Sequence, residues 1–163
     1  MKRTEIIEQK ILNPIELKFQ VNRLKFLKKK IVFTNGCFDI LHEGHIFSLR
    51  QAASEGDYLI VGLNADQSVL KLKGPNRPVN GQRARALILA SLLMVDAVTI
   101  FDEDTPQQLI ASILPDVLVK GGDYTVNQVA GAAEVIANGG KVVINPILEG
   151  FSTTGIIEKI RRL

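Results

Sequence analysis

Cysteine, histidine and tryptophan are scarce in this sequence of 163 residues, which has one Cys, two His and no Trp. A single Cys cannot form an internal disulfide, so we expect a reducing compartment. No run of about 20 apolar residues occurs, which predicts that no segment spans a membrane. Residues 1–11 mix charges with apolar side chains and lack the long apolar region of a signal peptide. Together these absences predict a cytoplasmic protein.

The overall composition is close to the average of globular proteins, with 46% apolar and 23% charged residues. This composition excludes a disordered, collagen-like or disulfide-stapled chain. The length predicts one domain that is large enough to bury a core.

The net charge of +3 is unevenly distributed. Residues 1–30 contain nine Lys or Arg and three Glu, whereas residues 31–163 contain eleven basic and fourteen acidic residues. We therefore predict a basic amphipathic lead-in helix within 1–30 and a slightly acidic body at 31–163. Lys25 and Lys28–Lys30 could form a nucleic-acid or lipid patch, or they could be the solvated end of a helix, where the dipole favours cations. Because Phe26 is the only aromatic residue among these charges and no series of stacking residues accompanies them, we expect neither a nucleic-acid nor a membrane partner.

Short apolar runs alternate along the chain with segments of helical periodicity. Asn13 followed by Pro14 predicts the start of a helix that runs to about residue 29. Strands are predicted at 31–34, 58–63, 97–101, 117–119 and 141–144, and helices at 44–55, 80–94, 105–113, 127–138 and 153–162. Nearly continuous Val, Ile and Leu strands between helices are typical of a parallel sheet that is covered on both faces. The prediction is a single doubly wound, Rossmann-like α/β domain with a five-stranded parallel sheet.

In such folds ligands bind beyond the carboxyl ends of the strands. The loops to examine are therefore 34–45, 64–80, 101–106, 120–127 and 145–154.

The first of these loops contains both histidines, His42 and His45. A helix that starts near residue 42 would place both imidazoles on one face of its first turn, beside backbone N–H groups that attract phosphate. Gly44 leaves room for close approach to the backbone, and Asp39 is placed to brace the turn with an Asx-type bond. The alternatives are incidental histidines or a metal site. Because the chain has no further His and carboxylates would have to complete such a site, we expect no dedicated metal site.

The segment Gly36-Cys37-Phe38-Asp39-Ile40-Leu41-His42-Glu43-Gly44-His45 resembles the GxFDxxHxGH signature of the cytidylyltransferase-like nucleotidyltransferases, whose HxGH motif contacts nucleotide phosphates. Within that family the chain is similar to the adenylyltransferase domain of bacterial ADP-heptose synthesis enzymes. Four further stretches carry this similarity: 72–79, 103–106, 118–124 and 152–154. The resemblance runs from about residue 10 to residue 162 and makes 31–163 the nucleotidyltransferase domain.

The resemblance implies transfer of AMP from ATP, with Mg²⁺, to D-glycero-β-D-manno-heptose 1-phosphate, which yields ADP-heptose and pyrophosphate for lipopolysaccharide core synthesis. A phosphate monoester is already anionic at neutral pH, so no general base is needed. The reaction instead requires alignment and neutralisation of charge on the triphosphate. The predicted catalytic residues are His42, His45 and Lys73, and the predicted nucleotide-binding residues are Gly36, Cys37, Phe38, Asp39, Gly44, Lys71, Ser152, Thr153 and Thr154. The predicted substrate-binding residues are Arg77, Arg83, Lys120, Gly121 and Asp123.

Several of these assignments have a plainer alternative. Lys71 and Lys73 lie in a predicted loop punctuated by Gly and Pro, which could act as a flexible lid, although both could be ordinary exposed lysines. Arg77 and Arg83 could hold a phosphate, whereas Arg83 and Arg85 also fit exposed helix positions. For Lys120, Gly121 and Asp123 the alternative is a tight turn, and for Cys37 it is packing.

Ser152, Thr153 and Thr154 fit both a helix cap and a second phosphate site. Many members of the wider family carry Arg or Lys within this element, whereas this chain has Gly-Ile-Ile at 155–157 and its next cation is Lys159.

Two alternative functions stay open at this point. One is a cytidylyltransferase that acts on glycerol 3-phosphate or a similar small phosphate. The other is a non-catalytic nucleotide-binding module, against which the intact His42, Gly44 and His45 argue. In every case we expect small-molecule substrates, and the sequence leaves a homodimer or a higher homo-oligomer open.

Overall fold

The computed structural model describes residues 5–163. Its centre is one sheet of five parallel strands in the order β3-β2-β1-β4-β5. The strands are β1 (Ile31–Gly36), β2 (Tyr58–Asn64), β3 (Ala97–Phe101), β4 (Val117–Gly121) and β5 (Lys141–Asn145). All five lie where the apolar runs predicted them, and most extend one or two residues further at their carboxyl ends.

The helices connect these strands. They are α1 (Ile6–Gln9), α2 (Pro14–Phe26), α3 (Glu43–Ala53), α4 (Asp66–Lys73), α5 (Gln82–Ala90), α6 (Gln107–Ile113), α7 (Ala132–Ala137) and α8 (Thr153–Arg161). Several predicted bounds need correction, and the helix predicted at 80–94 is the shorter α5. The helix predicted at 127–138 is a 3₁₀ turn at Val126–Gln128 followed by the shorter α7, and the loop predicted at 64–80 contains α4.

Successive residues of each strand point to opposite faces of the sheet, and each face has its own apolar core. In β1, Val32 packs with Leu49 of α3 and Leu89 of α5 in one cluster. Phe33 packs in the other cluster with side chains of α2, α6 and α7. Helices therefore cover both faces, which confirms the doubly wound α/β architecture.

The amino-terminal segment contributes to one of these cores. Asn13 caps α2 as predicted, because its side chain accepts hydrogen bonds from the N–H groups of Ile15 and Glu16. Leu17, Val21 and Leu24 of this helix are buried against the sheet.

The lead-in is not one continuous helix. A short pairing of Ile11 with Val98 lies between α1 and α2 and covers the edge of β3. α2 ends at Phe26 rather than near residue 29. Residues 1–4 of the predicted lead-in lie outside the described residues, and the boundary at residue 30 stays a prediction.

The order in which strands are added to the sheet reverses between β1 and β4, although all five strands stay parallel. From β1 the chain proceeds outward through β2 to β3, and it then returns to place β4 and β5 on the other side. The carboxyl ends of β1 and β4 therefore meet at a topological switch point, where open α/β sheets bind ligands. Within residues 5–163, no helix is long and apolar enough to cross a membrane.

Candidate active site

A cleft of about 700 Å³ opens at the carboxyl ends of β1 and β4. All five loops selected from the sequence contribute to its walls. Of the predicted site residues, the lining includes Gly36, Cys37, Phe38, Asp39, His42, Gly44, His45, Lys73, Arg77, Lys120, Gly121, Ser152, Thr153 and Thr154. Lys71, Arg83 and Asp123 do not line it.

His42 and His45 form a stacked pair at the start of α3. His42 is the N-cap residue of that helix, and the imidazole centroids lie 3.8 Å apart with 22° between the ring planes. The ring of Phe38 packs against His45 at a centroid distance of 5.2 Å. The Nδ1 atoms of both histidines are buried without a hydrogen-bond partner. Buried polar atoms are normally paired, so the protein leaves the hydrogen-bonding capacity of these two nitrogens unused.

Both imidazoles are neutral near pH 7. Burial, together with the neighbouring His42, lowers the pKa of His45 from 6.5 to about 4. Burial also lowers the pKa of His42. The pair therefore offers hydrogen bonds rather than positive charge, so the cations of the cleft must come from lysine and arginine.

Gly44 brings two parts of the cleft wall together. A Cβ atom at this position would lie 3.1 Å from Nδ1 of His42 and 3.1 Å from Cβ of Phe151. The sequence suggested that Gly44 leaves room for a close approach to the backbone, and in the structure the side chains of His42 and Phe151 make that approach. The missing side chain lets the start of α3 approach the segment that precedes α8.

Asp39 acts over a long range rather than within its own turn. Its buried carboxylate accepts hydrogen bonds from Nε of Arg77 at 2.6 Å and from the backbone N–H groups of Val79 and Asn80 at 2.8–2.9 Å. The prediction of an Asx-type brace is therefore wrong, because the partners lie about 40 residues further along the chain. Burial alone would raise the pKa of the Asp39 carboxyl, but the N–H groups of Asn80 and Val79 and the Arg77 guanidinium outweigh it and hold that pKa below its usual value.

Lys71 and Lys73 lie in the last turn of α4, so the prediction that they belong to a loop is wrong. The loop begins only at Gly74, whose φ is +93°. Lys73 faces the cleft. Lys71 pairs instead with Asp104 at 3.1 Å, and both of these side chains are mostly exposed.

The two predicted phosphate-binding arginines are separated. Arg77 lines the cleft and is held by Asp39, and 13% of its side chain is exposed. Arg83 is exposed on α5.

Lys120 enters the cleft from the end of β4. Its Nζ atom lies 3.5 Å from Oδ1 of Asn35 and 5.7 Å from the centroid of the Tyr124 ring. Burial lowers the pKa of this ammonium group. Gly121 lines the cleft beside it, whereas Asp123 is exposed outside the lining.

Cys37 is partly buried in the cleft floor. Burial raises the pKa of its thiol despite the nearby Lys73, Arg85, Arg77 and Lys120. The thiol is therefore protonated at neutral pH, and nothing in its surroundings activates it as a nucleophile.

Ser152, Thr153 and Thr154 line the cleft at the start of α8. The hydroxyl of Ser152 accepts a hydrogen bond from the N–H of Gly155 at 3.0 Å, which confirms the predicted cap. The amino-terminal ends of α3 and α8 thus meet at one cleft, and each directs backbone N–H groups and a positive dipole end towards it.

Comparison with known proteins places this cleft in a family. The sequence pattern of the family described as cytidylyltransferase-like matches residues 33–159, which include both helix starts and both histidines. The chain belongs to the cytidylyltransferase-like family. The bifunctional protein HldE of Koribacter versatilis is 53% identical over 154 residues, which cover 94% of this chain and 32% of that protein. HldE of Azotobacter vinelandii is 51% identical over 162 residues, which cover 99% of this chain and 34% of that protein. The chain thus spans about a third of the length of these curated relatives.

Two solved structures share the fold. A lipopolysaccharide core biosynthesis protein from Thermoplasma volcanium is 27% identical with a TM-score of 0.59, and the match covers 74% of this chain and 97% of that one. A pantoate-β-alanine ligase from Francisella tularensis is 19% identical with a TM-score of 0.59, and the match covers 94% of this chain and 78% of that one. The second likeness supports the fold alone.

This cytidylyltransferase-like domain has one residue near its site that the sequence interpretation placed wrongly. Arg85 is not an exposed helix position, because its side chain is completely buried beneath the cleft. The spacing contained a signal, since Arg85 lies four residues before Leu89 and so shares the buried face of α5. The apolar wall formed by Tyr124, Ile147 and Phe151 was also missed, because it is assembled from separate loops.

Proposed function

We propose that the chain is an adenylyltransferase that transfers AMP from ATP to D-glycero-β-D-manno-heptose 1-phosphate. The products are ADP-heptose, for lipopolysaccharide core synthesis, and pyrophosphate. The observation that carries nucleotidyl transfer is the pair of buried, unpartnered Nδ1 atoms of His42 and His45 where the starts of α3 and α8 meet. Such an arrangement suits a chain of phosphates rather than a single anion.

The choice of the heptose phosphate rests on relatives. The sequence stretches 72–79, 103–106, 118–124 and 152–154 resemble the adenylyltransferase domain of ADP-heptose synthesis enzymes. Proteins named HldE are about half identical to this chain over nearly its whole length. The related structure from Thermoplasma volcanium is described as a lipopolysaccharide core biosynthesis protein.

In the proposed reaction, an oxygen of the sugar phosphate attacks the α-phosphorus of ATP. A new P–O bond forms, the bond between the α-phosphorus and the bridging oxygen breaks, and pyrophosphate leaves with that electron pair. The acceptor phosphate is already ionised, so no residue has to remove a proton. His42 and His45 would hydrogen-bond phosphate oxygens, together with the backbone N–H groups at the starts of α3 and α8.

Positive charge for the transition state would come from three side chains that line the cleft. Lys73 at the end of α4 and Arg77 on the following loop lie on one wall, and Lys120 enters from β4. We assign Lys73 to the triphosphate, and Arg77 and Lys120 to the acceptor phosphate. Binding roles for Lys71, Arg83 and Asp123 stay predictions.

Mg²⁺ is best treated as part of the MgATP substrate. Among residues 5–163, no group of three or more His, Cys, Asp or Glu side chains is placed to hold a metal ion. The cleft carboxylates are already engaged, Asp39 with Arg77 and Asp104 with Lys71. Mg²⁺ in phosphoryl-transfer sites often keeps several waters and binds the substrate phosphates.

We also infer that the protein works in the cytoplasm, where ATP is available and a single Cys stays reduced. A homodimer or higher homo-oligomer is compatible with the exposed apolar side chains Ile15, Phe19 and Phe26 on α2.

The proposal is tested by measuring pyrophosphate release with Mg²⁺ for ATP and CTP, each paired with the heptose 1-phosphate or glycerol 3-phosphate. We expect release with ATP and the heptose phosphate only. Release only with CTP would overturn the nucleotide assignment, and no release with any pair would favour a non-catalytic nucleotide-binding module. In the productive pair, His45→Ala should collapse turnover while circular dichroism shows an intact fold.

A further inference from the structure

The buried guanidinium of Arg85 joins three segments that build the cleft. Its Nη1 donates to the carbonyl oxygen of Cys37 at 2.6 Å, its Nε donates to the carbonyl oxygen of Asn80 at 2.9 Å, and its Nη2 donates to Oδ1 of Asp66 at 2.7 Å. These acceptors lie after β1, before α5 and at the first residue of α4, respectively. Arg85 does not line the cleft and so has no direct path to a substrate.

This arrangement is costly for stability alone. A buried charge must recover its lost hydration through paired and well-aligned hydrogen bonds, and an apolar side chain of similar volume often stabilises a core as well or better. Arg85 is completely buried, yet it lies on a helix face otherwise formed by Ala86, Leu89 and Ala90. The three hydrogen bonds of Arg85 therefore indicate that this side chain sets the relative positions of the segments it joins.

Each of the three bonds controls a segment that carries a predicted site residue. Asp66 begins α4, and the last turn of the same helix presents Lys73 to the cleft. The carbonyl of Cys37 precedes Phe38 and Asp39 and lies five residues before His42. Asn80 closes the loop that carries Arg77.

Asp39 holds the same loop from the opposite direction. Asn80 donates its backbone N–H to the Asp39 carboxylate at 2.9 Å, while its carbonyl accepts from Arg85 at 2.9 Å. The Asn80 side chain also donates to the carbonyl oxygen of Asp39 at 3.0 Å. The backbone N–H and the backbone carbonyl of Asn80 are thus both held, the first by the buried Asp39 carboxylate and the second by the buried Arg85 guanidinium.

We propose that Arg85 is a positioning residue for adenylyl transfer. It fixes α4 and the 77–80 loop against the segment that follows β1, so that Lys73 and Arg77 face His42 and His45 across the cleft at the right separation. This inference rests on the proposed function. It explains why an arginine, with donors in a rigid fork, occupies a position at which a lysine could satisfy only part of the geometry.

The first test compares Arg85→Lys with Leu89→Ala. Leu89 is buried one helical turn further along the same face of α5 and contributes no side-chain hydrogen bond to the polar network, so it is the matched control for loss of stability. We expect Arg85→Lys to lower kcat by roughly 10- to 100-fold, because small misplacements of reacting groups strongly reduce the rate of the chemical step. KM for ATP should stay within about 3-fold of the wild-type value. Leu89→Ala should keep kcat within about 3-fold at an equal or larger fall in Tm.

A second test applies even where Arg85→Lys fails to fold. Asp66 is 44% exposed, so Asp66→Asn removes the ion pair to α4 without burying a new group. If Arg85 acts by positioning α4, this substitution lowers kcat in the wild-type background but has little further effect in a Lys73→Ala background. Additive losses in the two backgrounds would overturn the proposal.

The two proposals fail in different ways. If the wild type turns over and Arg85→Lys keeps its kcat, or if Leu89→Ala loses kcat in proportion to its Tm, only the positioning role is overturned. If the wild type releases no pyrophosphate with any substrate pair, the function itself fails and the positioning role with it.

Discussion

The neutral histidines of the cleft determine how this protein responds to acid. His45 has a pKa of about 4 in the folded chain, below the 6.5 of an ordinary imidazole. Between those pH values the unfolded chain takes up a proton that the folded chain does not. The stability contributed by burying neutral His45 is therefore fully present above pH 6.5 and is lost as the pH falls towards 4.

We predict that the free energy of unfolding falls by about 2–3 kcal/mol between pH 7 and pH 4.5 through this group. The measurement is urea denaturation at both pH values for the wild type and for His45→Gln. The variant should lose most of the difference, and His42, whose pKa burial also lowers, should account for a smaller remainder. Equal pH dependence in both proteins would show that His45 is not buried as a neutral group.

At the scale of secondary structure, the helix caps were set by short stretches of sequence. Asn13 accepts hydrogen bonds from the N–H groups of Ile15 and Glu16 at 2.9 and 3.0 Å. The Glu16 carboxylate accepts one in return from the Asn13 N–H at 2.8 Å. This reciprocal box fixes the start of α2, which lies outside the cleft lining.

We predict that Asn13→Ala lowers the free energy of unfolding by about 1 kcal/mol, which corresponds to a fall in Tm of about 2–4 °C. The substitution should leave kcat unchanged. Thermal denaturation and the pyrophosphate assay together check this. The control is Asn22→Ala, an exposed position in the same helix, which should be neutral or slightly stabilising because Ala favours helix. If both variants behave alike, the cap contributes nothing to stability.

At the scale of the whole molecule, the amino-terminal segment and the sheet share one core. Leu17 and Val21 are each 2% exposed and pack with Ile31, Phe33 and Ile113. Lys18, Arg23 and Lys25 are exposed on α2, whose opposite side packs against one face of the sheet. Folding of the two parts should therefore be one cooperative event.

We predict that Leu17→Ala lowers the free energy of unfolding by about 2–5 kcal/mol and leaves a single transition. Phe19→Ala, at a site that is 72% exposed on the same helix, should change stability by less than about 0.5 kcal/mol. Denaturation followed by both circular dichroism and tyrosine fluorescence provides the measurement. A wild-type Tm in Leu17→Ala would instead mean that the segment unfolds independently of residues 31–163.

Much of the fold was readable from the sequence because its signals are local. A run such as Ala97–Phe101 is apolar except for the β-branched Thr99, so it predicts a buried strand without knowledge of its neighbours. The order of strands and helices then fixed which ends of the sheet form the cleft, and the two histidines identified one of its walls. Helix α4 was not predicted from the sequence, because its residues DQSVLKLK are mostly polar and are followed directly by Gly-Pro.

Only the tertiary structure decided which residues far apart in the chain become hydrogen-bond partners. Arg85 meets Cys37 across 48 positions and Asp66 across 19, and Asp39 meets Asn80 across 41. Spacing along a helix or strand reports only neighbours within about four residues, so it could not reveal these bonds. The same holds for the pKa of His45, which depends on burial and on the stacked His42. The sequence by itself determined the strands, most of the helices, the loop that carries both histidines and the family, whereas folding decided which charges are buried and which imidazoles are neutral.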